Sequence, residues 1–342
     1  MYYILFLMRQ FKSKSNLNVL IAGAGKIGTI RASVIKKLSP KSKLYVFDTN
    51  FKKATLLAKE VKGVVVRSLM QGLKDKNIDA VIVAVVNKYS KNISLLALKN
   101  KKHVLCEKPM GVNYKEAKEI CLVAKKSKMK FKCGFNHRYH PSIKEAYRLC
   151  KEKEIGEILF IRGIYGHGGR RGYDKEWRAK KSLSGGGELL DQGCHLIDLC
   201  NWFFNFEDIK NIHGINKTMF WNMNVDDNAF VLCETKSGKV AQIHASWTQW
   251  KNLFRFEIYG TKGAIEINGL GKSYGTETLR LYKREGLGTV PKMIEKRFTG
   301  PDKSWESEWK DFVKSVKSNK LLISNERESL QVMKTIGELY SH

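Results

Sequence analysis

Between residues 18 and 135 short apolar runs alternate with longer segments of helical spacing. "NVLIAGAGKIG" (18–28) begins as a buried strand and runs into Gly23, Gly25 and Gly28, after which "TIRASVIKKLS" sets Ile30, Val34 and Leu38 on one helical face. "KLYVF", "GVVVR", "DAVIVAVV", "KHVLCEKP" and "MKFKCGF" read as five further strands, with helices near 51–60, 89–100 and 113–127. Such alternation predicts an α/β domain built on a doubly wound parallel sheet. After the amphipathic helix "PSIKEAYRLCKEKEIG" the period shortens to two. "EILFIRGIYGH", "DNAFVLCETKSGKVAQIHASWTQW" and "FRFEIYGTKGAIEING" alternate, with "KSG" and "TKG" as hairpin turns. "WESEWKDFVKSV" and "RESLQVMKTIGELYS" close the chain as helices. The expected segments are an extension poorly ordered over 1–17, a first domain over 18–140, a second over 141–325 and a last helix over 326–342.

The glycine spacing carries chemistry. The first glycine permits a tight turn, the second lets backbone approach a pyrophosphate, and the third lets helix and strand pack closely. The free N–H groups of the helix start, at Lys26 and Ile27, would hold the phosphates. Asp48 ends the second strand twenty residues beyond Gly28 and suits the ribose hydroxyls of an adenosine. A Rossmann dinucleotide site follows. Thr49 and Asn50 come next rather than an arginine, so NAD is expected over NADP. Ligands on such sheets sit at the strands' carboxyl ends, where Val86, Asn87, Glu107, Lys108, Asn136 and His137 fall.

Composition narrows the alternatives. A chain of 342 residues suits two domains, and 43% hydrophobic with 28% charged residues describes a folded soluble protein. The net charge of +29 comes from 48 Lys and 14 Arg spread from end to end. Scattered lysines make a basic surface rather than an arginine-rich nucleic-acid patch, so no nucleic-acid partner is expected. Seven cysteines without a CxxC pair indicate neither a zinc site nor a disulfide framework, and fit reduced thiols in a cytoplasm. The opening "MYYILFLMRQFKSKSN" places its apolar run before its basic residues, the reverse of a secretory signal, and is too short to span a bilayer.

Two stretches remain. "CEKPM" follows the fifth strand and puts Lys108 beside the expected nicotinamide, with Pro109 shaping the turn. "GGGELLDQGCHLIDL" (185–199) reads as a core helix, yet Asp191, His195 and Asp198 share one side of it. With "GAGKIG", "CEKP", "GFNHRYHP", and "EWR" ahead of that stretch, the chain from about residue 18 resembles the glucose–fructose oxidoreductase / inositol dehydrogenase / rhizopine-catabolism (Gfo/Idh/MocA) family. The resemblance implies Lys108, Asp191 and His195 as the catalytic set. It also implies a second domain made of an open, mostly antiparallel sheet with helices on one face, and a last helix that returns to the first domain. The chain departs from the family at Val85-Val86, where Thr-Pro is common, and at Asn136-His137-Arg138, where Arg-Arg or Met-Arg is common.

Oxidation of a secondary alcohol needs a base for the hydroxyl proton, and histidine titrates in the right range. His195 is read as that base, Asp191 as its tuner or a substrate contact, and Lys108 as a donor to the reacting oxygen. Arg138, Tyr165 and Arg178 are expected to line the substrate side with Lys108, Asp191 and His195. Asp198 is either part of the stripe or supporting structure. No metal site is expected, because the Asp–His–Asp spacing lacks the HExxH pattern. The expected function is NAD-dependent oxidoreduction of a sugar, cyclitol or sugar derivative, neutral or anionic, by a cytoplasmic homodimer or homotetramer. The competing reading is a non-catalytic dinucleotide-binding sensor on the same fold.

Overall fold

The computed structural model describes residues 16–284, 286, 288–318 and 322–341, so the extension expected at the start lies, up to residue 15, outside the described residues. The first sheet grows outward from β1 (Val19–Ala22), four apolar residues that are all buried. β1 pairs in parallel with β2 (Leu44–Phe47) on one side and β4 (Ala80–Val83) on the other. With β3 (Val64–Val65), β5 (His103–Cys106) and β6 (Phe131–Cys133) the order is β3-β2-β1-β4-β5-β6. The reversal of strand order between β1 and β4 opens the crevice in which such sheets bind ligands. Helices α1 (Lys26–Leu38), α2 (Phe51–Glu60), α3 (Leu69–Lys74), α4 (Asn87–Lys99) and α5 (Tyr114–Ser127) cover the faces. Asn50, Ser68 and Asn113 cap α2, α3 and α5 by accepting a backbone N–H three residues on.

Two strands are shorter than their apolar runs. "GVVVR" contributes only Val64 and Val65, at the sheet edge, and the fourth strand stops at Val83. Val86 therefore caps α4 and Asn87 begins it.

The second sheet has eight strands. They are β7 (Ile158–Gly166), β8 (Ile209–Lys217), β9 (Asn228–Thr235), β10 (Val240–Ser246), β11 (Leu253–Gly260), β12 (Gly263–Asn268), β13 (Glu277–Lys283) and β14 (Lys292–Phe298). Their order is β14-β13-β12-β11-β7-β10-β9-β8, and every pairing is antiparallel except that of β7 with β10. β8, β13 and β14 were not anticipated, although the alternating burial of β8 and the inward Leu279 and Leu281 of β13 carry the period-two signal.

Helices lie on one face of this sheet. α6 (Pro141–Lys151) begins on a proline and leads into β7, the short α7 (Lys181–Ser184) follows the loop after β7, and α8 (Cys194–Phe203) packs on β7 and β10. α9 (Ser304–Ser318) packs on α1, and α10 (Glu326–Leu339) packs between α5 and α8. One apolar core runs continuously from β4 and β5 through α8 to β10 and β11. The opposite sheet face leaves Ile215, Phe230 and Leu232 exposed. Among the described residues no helix is long and apolar enough to cross a membrane.

Candidate active site

The glycine turn divides its labour as the spacing predicts. Gly23 adopts φ +106°, and a Cβ there would meet the Ala84 carbonyl oxygen at 2.2 Å. A Cβ on Gly28 would lie 1.9 Å from the Gly23 carbonyl oxygen, so this glycine sets how closely α1 approaches the turn. A Cβ on Gly25 would meet nothing within 4 Å. Gly25 thus borders open space at the start of α1, with no side chain capping the helix. The first helical bond runs from Thr29 N–H to Gly25 O, which leaves the N–H groups of Lys26, Ile27 and Gly28 free for an anion. Asp48 Oδ2 accepts from Ala24 N at 2.7 Å and Oδ1 from Asn50 N at 2.7 Å, fixing the carboxylate beside the turn. These features fit a dinucleotide: an open phosphate approach, a helix N-terminus and an acid for the ribose.

Other residues expected at the strand ends divide into those facing the crevice and those committed elsewhere. Val86 and Asn87 sit half-buried at the start of α4, where Asn87 Nδ2 donates to Ser184 O at 2.9 Å and ties α4 to α7. The Glu107 carboxylate accepts from Arg31 Nε at 2.7 Å, and Arg31 also pairs with Glu308 of α9. Asn136 Nδ2 donates to Ser304 Oγ at 3.0 Å. Arg138, expected against substrate, is fully buried: Nε and Nη2 bind the two Asp198 oxygens at 2.8 and 2.6 Å, and Nη1 binds Glu328 at 2.6 Å. A guanidinium fully engaged by two carboxylates joins α8, α10 and the turn after β6. Asp198 is accordingly the far end of that ion pair and is turned away from Asp191.

The stretch 185–199 is not one regular helix. Leu189–Gly193 form a π-helical turn and α8 starts only at Cys194. Residues four apart stay on one side of the helix under either winding, so Asp191 and His195 still share a face. Asp191 faces Lys108, delivered by the loop after β5 across a cis Lys108–Pro109 peptide. Lys108 Nζ donates to Asp191 Oδ1 at 2.7 Å and to the Asp191 carbonyl at 2.6 Å. An ammonium has three N–H groups, so one stays available. Arg178 Nε donates to Asp191 Oδ2 at 3.2 Å and spreads over the Trp177 ring.

Burial alone would raise the Asp191 pKa, but the Lys108 and Arg178 cations outweigh it and hold the carboxyl well below its usual range. Burial works to lower Lys108, yet the Asp191 charge prevails and keeps the ammonium above its ordinary value. His195 behaves oppositely. Burial, then the positive charges of Lys108 and His140, push it well below the ordinary histidine value. Among the described residues its Nδ1 is buried without a partner, which leaves Nε2 as the nitrogen to meet a substrate. At neutral pH the group is therefore a fixed ammonium, a fixed carboxylate and a neutral imidazole.

Aromatic rings enclose the imidazole. The Tyr165 ring stands edge-on to His195 at 6.1 Å and tilts against Tyr274 at 5.0 Å, and Tyr274 Oη accepts from Gln192 Nε2 at 2.9 Å. His137 stacks on His195 with ring centroids 3.7 Å apart and planes 17° from parallel. Gln192 and Tyr274 escaped sequence reasoning as site residues, whereas His137 was expected with Asn136 at the carboxyl end of the sixth strand. No spacing gave Gln192 or Tyr274 away. Arg170 and Arg171, in the loop after β7, are exposed, and Arg170 pairs with Glu176.

Residues 17–135 match the model described as an oxidoreductase family with an NAD-binding Rossmann fold, and residues 143–266 match the GFO/IDH/MocA C-terminal domain. A trans-1,2-dihydrobenzene-1,2-diol dehydrogenase from Xenopus laevis is 31% identical over 194 residues, which span 57% of this chain and 57% of that relative. A glucose-6-phosphate 3-dehydrogenase from Bacillus subtilis is 30% identical over 286 residues, covering 79% of this chain and 78% of its own. The solved structure of levoglucosan dehydrogenase with NADH and levoglucosan superposes with a TM-score of 0.84 at 21% identity, over 96% of this chain and 98% of that one, and so shares the fold. With both domain models matched in order, the chain belongs to the Gfo/Idh/MocA oxidoreductase family.

Proposed function

We propose that the protein is a dehydrogenase that moves a hydride between NAD and the secondary alcohol or ketone of a sugar, cyclitol or sugar derivative, with Lys108, Asp191 and His195 as its catalytic set. The observation that carries the reading is the division of charge among these three side chains: only the imidazole is a neutral base, and it lies within the field of the Lys108 ammonium. The nicotinamide, when bound, supplies the hydride acceptor or donor.

In the oxidising direction His195 Nε2 takes the hydroxyl proton as the carbonyl forms. The remaining N–H of Lys108 faces the oxygen and stabilises its negative charge. Asp191 holds that ammonium in place through two contacts and keeps it protonated. In the reducing direction His195 returns the proton. Gly23, Gly25, Lys26, Ile27 and Gly28 cradle the pyrophosphate, and Asp48 takes the adenosine ribose. Its carboxylate would repel a 2′-phosphate, which supports NAD over NADP.

The substrate class we favour is a neutral polyol. Arg178 and Arg170, which could have clamped an anion, already pair with Asp191 and Glu176. The names of the relatives above, a sugar-phosphate and a diol dehydrogenase, agree with a hydroxyl-bearing substrate. The exposed Ile215, Phe230 and Leu232 on the outer sheet face support a second copy of this chain covering it. All seven cysteines are free thiols, which supports a reducing cytoplasm.

The test is a screen of free polyols, uronic acids, sugar phosphates and nucleotide sugars, following nicotinamide absorbance with NAD and NADP. NADH formation with a free polyol is the expected result. Dinucleotide binding without turnover of any of them would favour the sensor reading instead. Loss of turnover by orders of magnitude in His195→Ala, with NAD still bound, is expected; full turnover in that variant would overturn the assignment.

A further inference from the structure

We propose that His137 is a positioning residue for the site: its ring, stacked face to face on His195, holds the plane of the catalytic imidazole and so aims Nε2 at the substrate. The inference rests on the reading of His195 as the base and adds to it the device that orients the base.

A histidine base is ordinarily oriented through its second nitrogen, which donates to a carboxylate or carbonyl. Among the described residues His195 has no such anchor. Its Nδ1 is buried without a partner, and Asp198, the carboxylate one turn further along α8, is held by Arg138 through both oxygens. Asp191 is held between Lys108 and Arg178. Orientation must then come from the ring faces and edges. His137 lies 3.7 Å from the His195 ring at 17°, while Phe135 and Tyr165 meet it only edge-on, at 5.8 and 6.1 Å.

The plate is itself fixed on three further sides. Tyr165, His140 and Phe254 stand edge-on to His137 at 5.0, 5.7 and 6.0 Å. Its backbone belongs to the 3-10 turn Asn136–Tyr139, pinned by Asn136 on Ser304 and Arg138 on Asp198 and Glu328. The contact also governs charge. A proton on either ring of the stack opposes a proton on the other, and the enclosure opposes both. The remaining groups around the pair are Lys108 from the loop after β5, His140 before α6 with Nδ1 on Glu277, and the Tyr165 hydroxyl from β7. Glu328 of α10 is taken up by Arg138. None of them is an anion free to stabilise an imidazolium at His195.

The experiment compares His137→Phe, His137→Leu and His137→Ala, measuring kcat, KM for a polyol turned over by the wild type, NAD affinity, and the pH profile of kcat/KM. Phenylalanine keeps the flat face, and its kcat should stay within about 3-fold of wild type with an unmoved acid limb. Leucine fills the volume without a face, and its kcat should fall about 10- to 100-fold with KM and NAD affinity unchanged. Alanine admits water and should in addition shift the acid limb toward pH 6.5. Should alanine fail to fold, the leucine and phenylalanine pair still decides the matter. Wild-type kcat in His137→Leu, or equal damage in His137→Phe and His137→Leu, would overturn the proposal. The His195→Ala variant separates the two readings: full turnover there removes the base itself, whereas an inactive His195→Ala beside an unaffected His137→Leu removes only the plate.

Discussion

Lys108 and Asp191 stand 83 residues apart in the chain and meet at 2.7 Å, the ammonium from the parallel-sheet domain and the carboxylate from the π-helical turn that precedes α8. The contact spans the crevice and joins the two domains through groups of opposite charge. Each ion sets the other's protonation state, so the pair is expected to fail as a unit. Lys108→Met and Asp191→Asn should each lower kcat by about 100- to 1,000-fold. The double variant should be little worse than either single one, which a double-mutant cycle on kcat will check. Fully additive losses would mean that the two act separately.

The three glycines of the turn are expected to separate stability from cofactor binding. A methyl group at Gly25 enters open space, whereas one at Gly28 collides with the Gly23 carbonyl. Gly25→Ala should therefore melt within a few degrees of wild type yet bind NAD at least about 10-fold more weakly, since its methyl fills the phosphate approach. Gly28→Ala should lose stability outright. Calorimetric melting and a fluorescence titration with NADH distinguish the two, and unimpaired NAD binding by Gly25→Ala would refute the placement of the pyrophosphate.

Arg138 is expected to matter for folding rather than for substrate. Removing it leaves the buried Asp198 without the guanidinium that binds both its oxygens, and close to the Glu328 carboxylate. Arg138→Met should cost about 3–5 kcal/mol in urea unfolding. The surviving folded fraction should keep the wild-type KM. A selective rise in KM with unchanged stability would restore Arg138 to the substrate side.

The two stacked histidines predict an acid-sensitive fold. Both are held below the ordinary histidine value, by burial first and then by neighbouring positive charge. Once unfolded they take up protons near pH 6.5, so below that value the unfolded chain binds more protons than the folded one. Their contribution is complete above about pH 6.5 and is lost as the pH falls toward the folded values, by up to about 1.4 kcal/mol per pH unit per histidine. The acid limb of kcat/KM should lie below pH 6.5 for the same reason. His137→Phe should flatten the fall in unfolding free energy between pH 6.5 and 5. An unchanged slope would show that His137 is not the source.

The Asp48 carboxylate is expected to set cofactor preference. Asp48→Ser removes the charge beside the glycine turn and should narrow the ratio of kcat/KM for NAD over NADP by about 10-fold or more. An unaltered ratio would mean that selection occurs elsewhere.

How much of this was legible from the residues follows from the range of the interactions. The glycine turn, Asp48 and the alternating strands and helices are local features, in which spacing along the chain equals spacing in space, and they appear where the pattern put them. The eight-stranded sheet was legible in part, and length did not decide which part: β8 spans nine residues and β12 only six. β8 and β14 have no fully buried residue, so their apolar signal is weak, and the place of β8, β13 and β14 depends on neighbours that pair with them from elsewhere.

By itself the sequence determined which elements form, which turn can accept a dinucleotide, and which acid, ammonium and imidazole the chain has to offer. Tertiary structure decided how those side chains are spent. Arg138, Glu107 and Asn136 sit among site-like neighbours in the chain, yet each is bonded to a residue brought from elsewhere: Asp198, Arg31 and Ser304. On the 189–199 segment Asp191 is bonded to Lys108, Asp198 to Arg138, and the His195 ring is stacked on His137, three partners that come from outside that segment. A buried charge must find its partner wherever the fold supplies one, and that partner has no fixed distance along the chain.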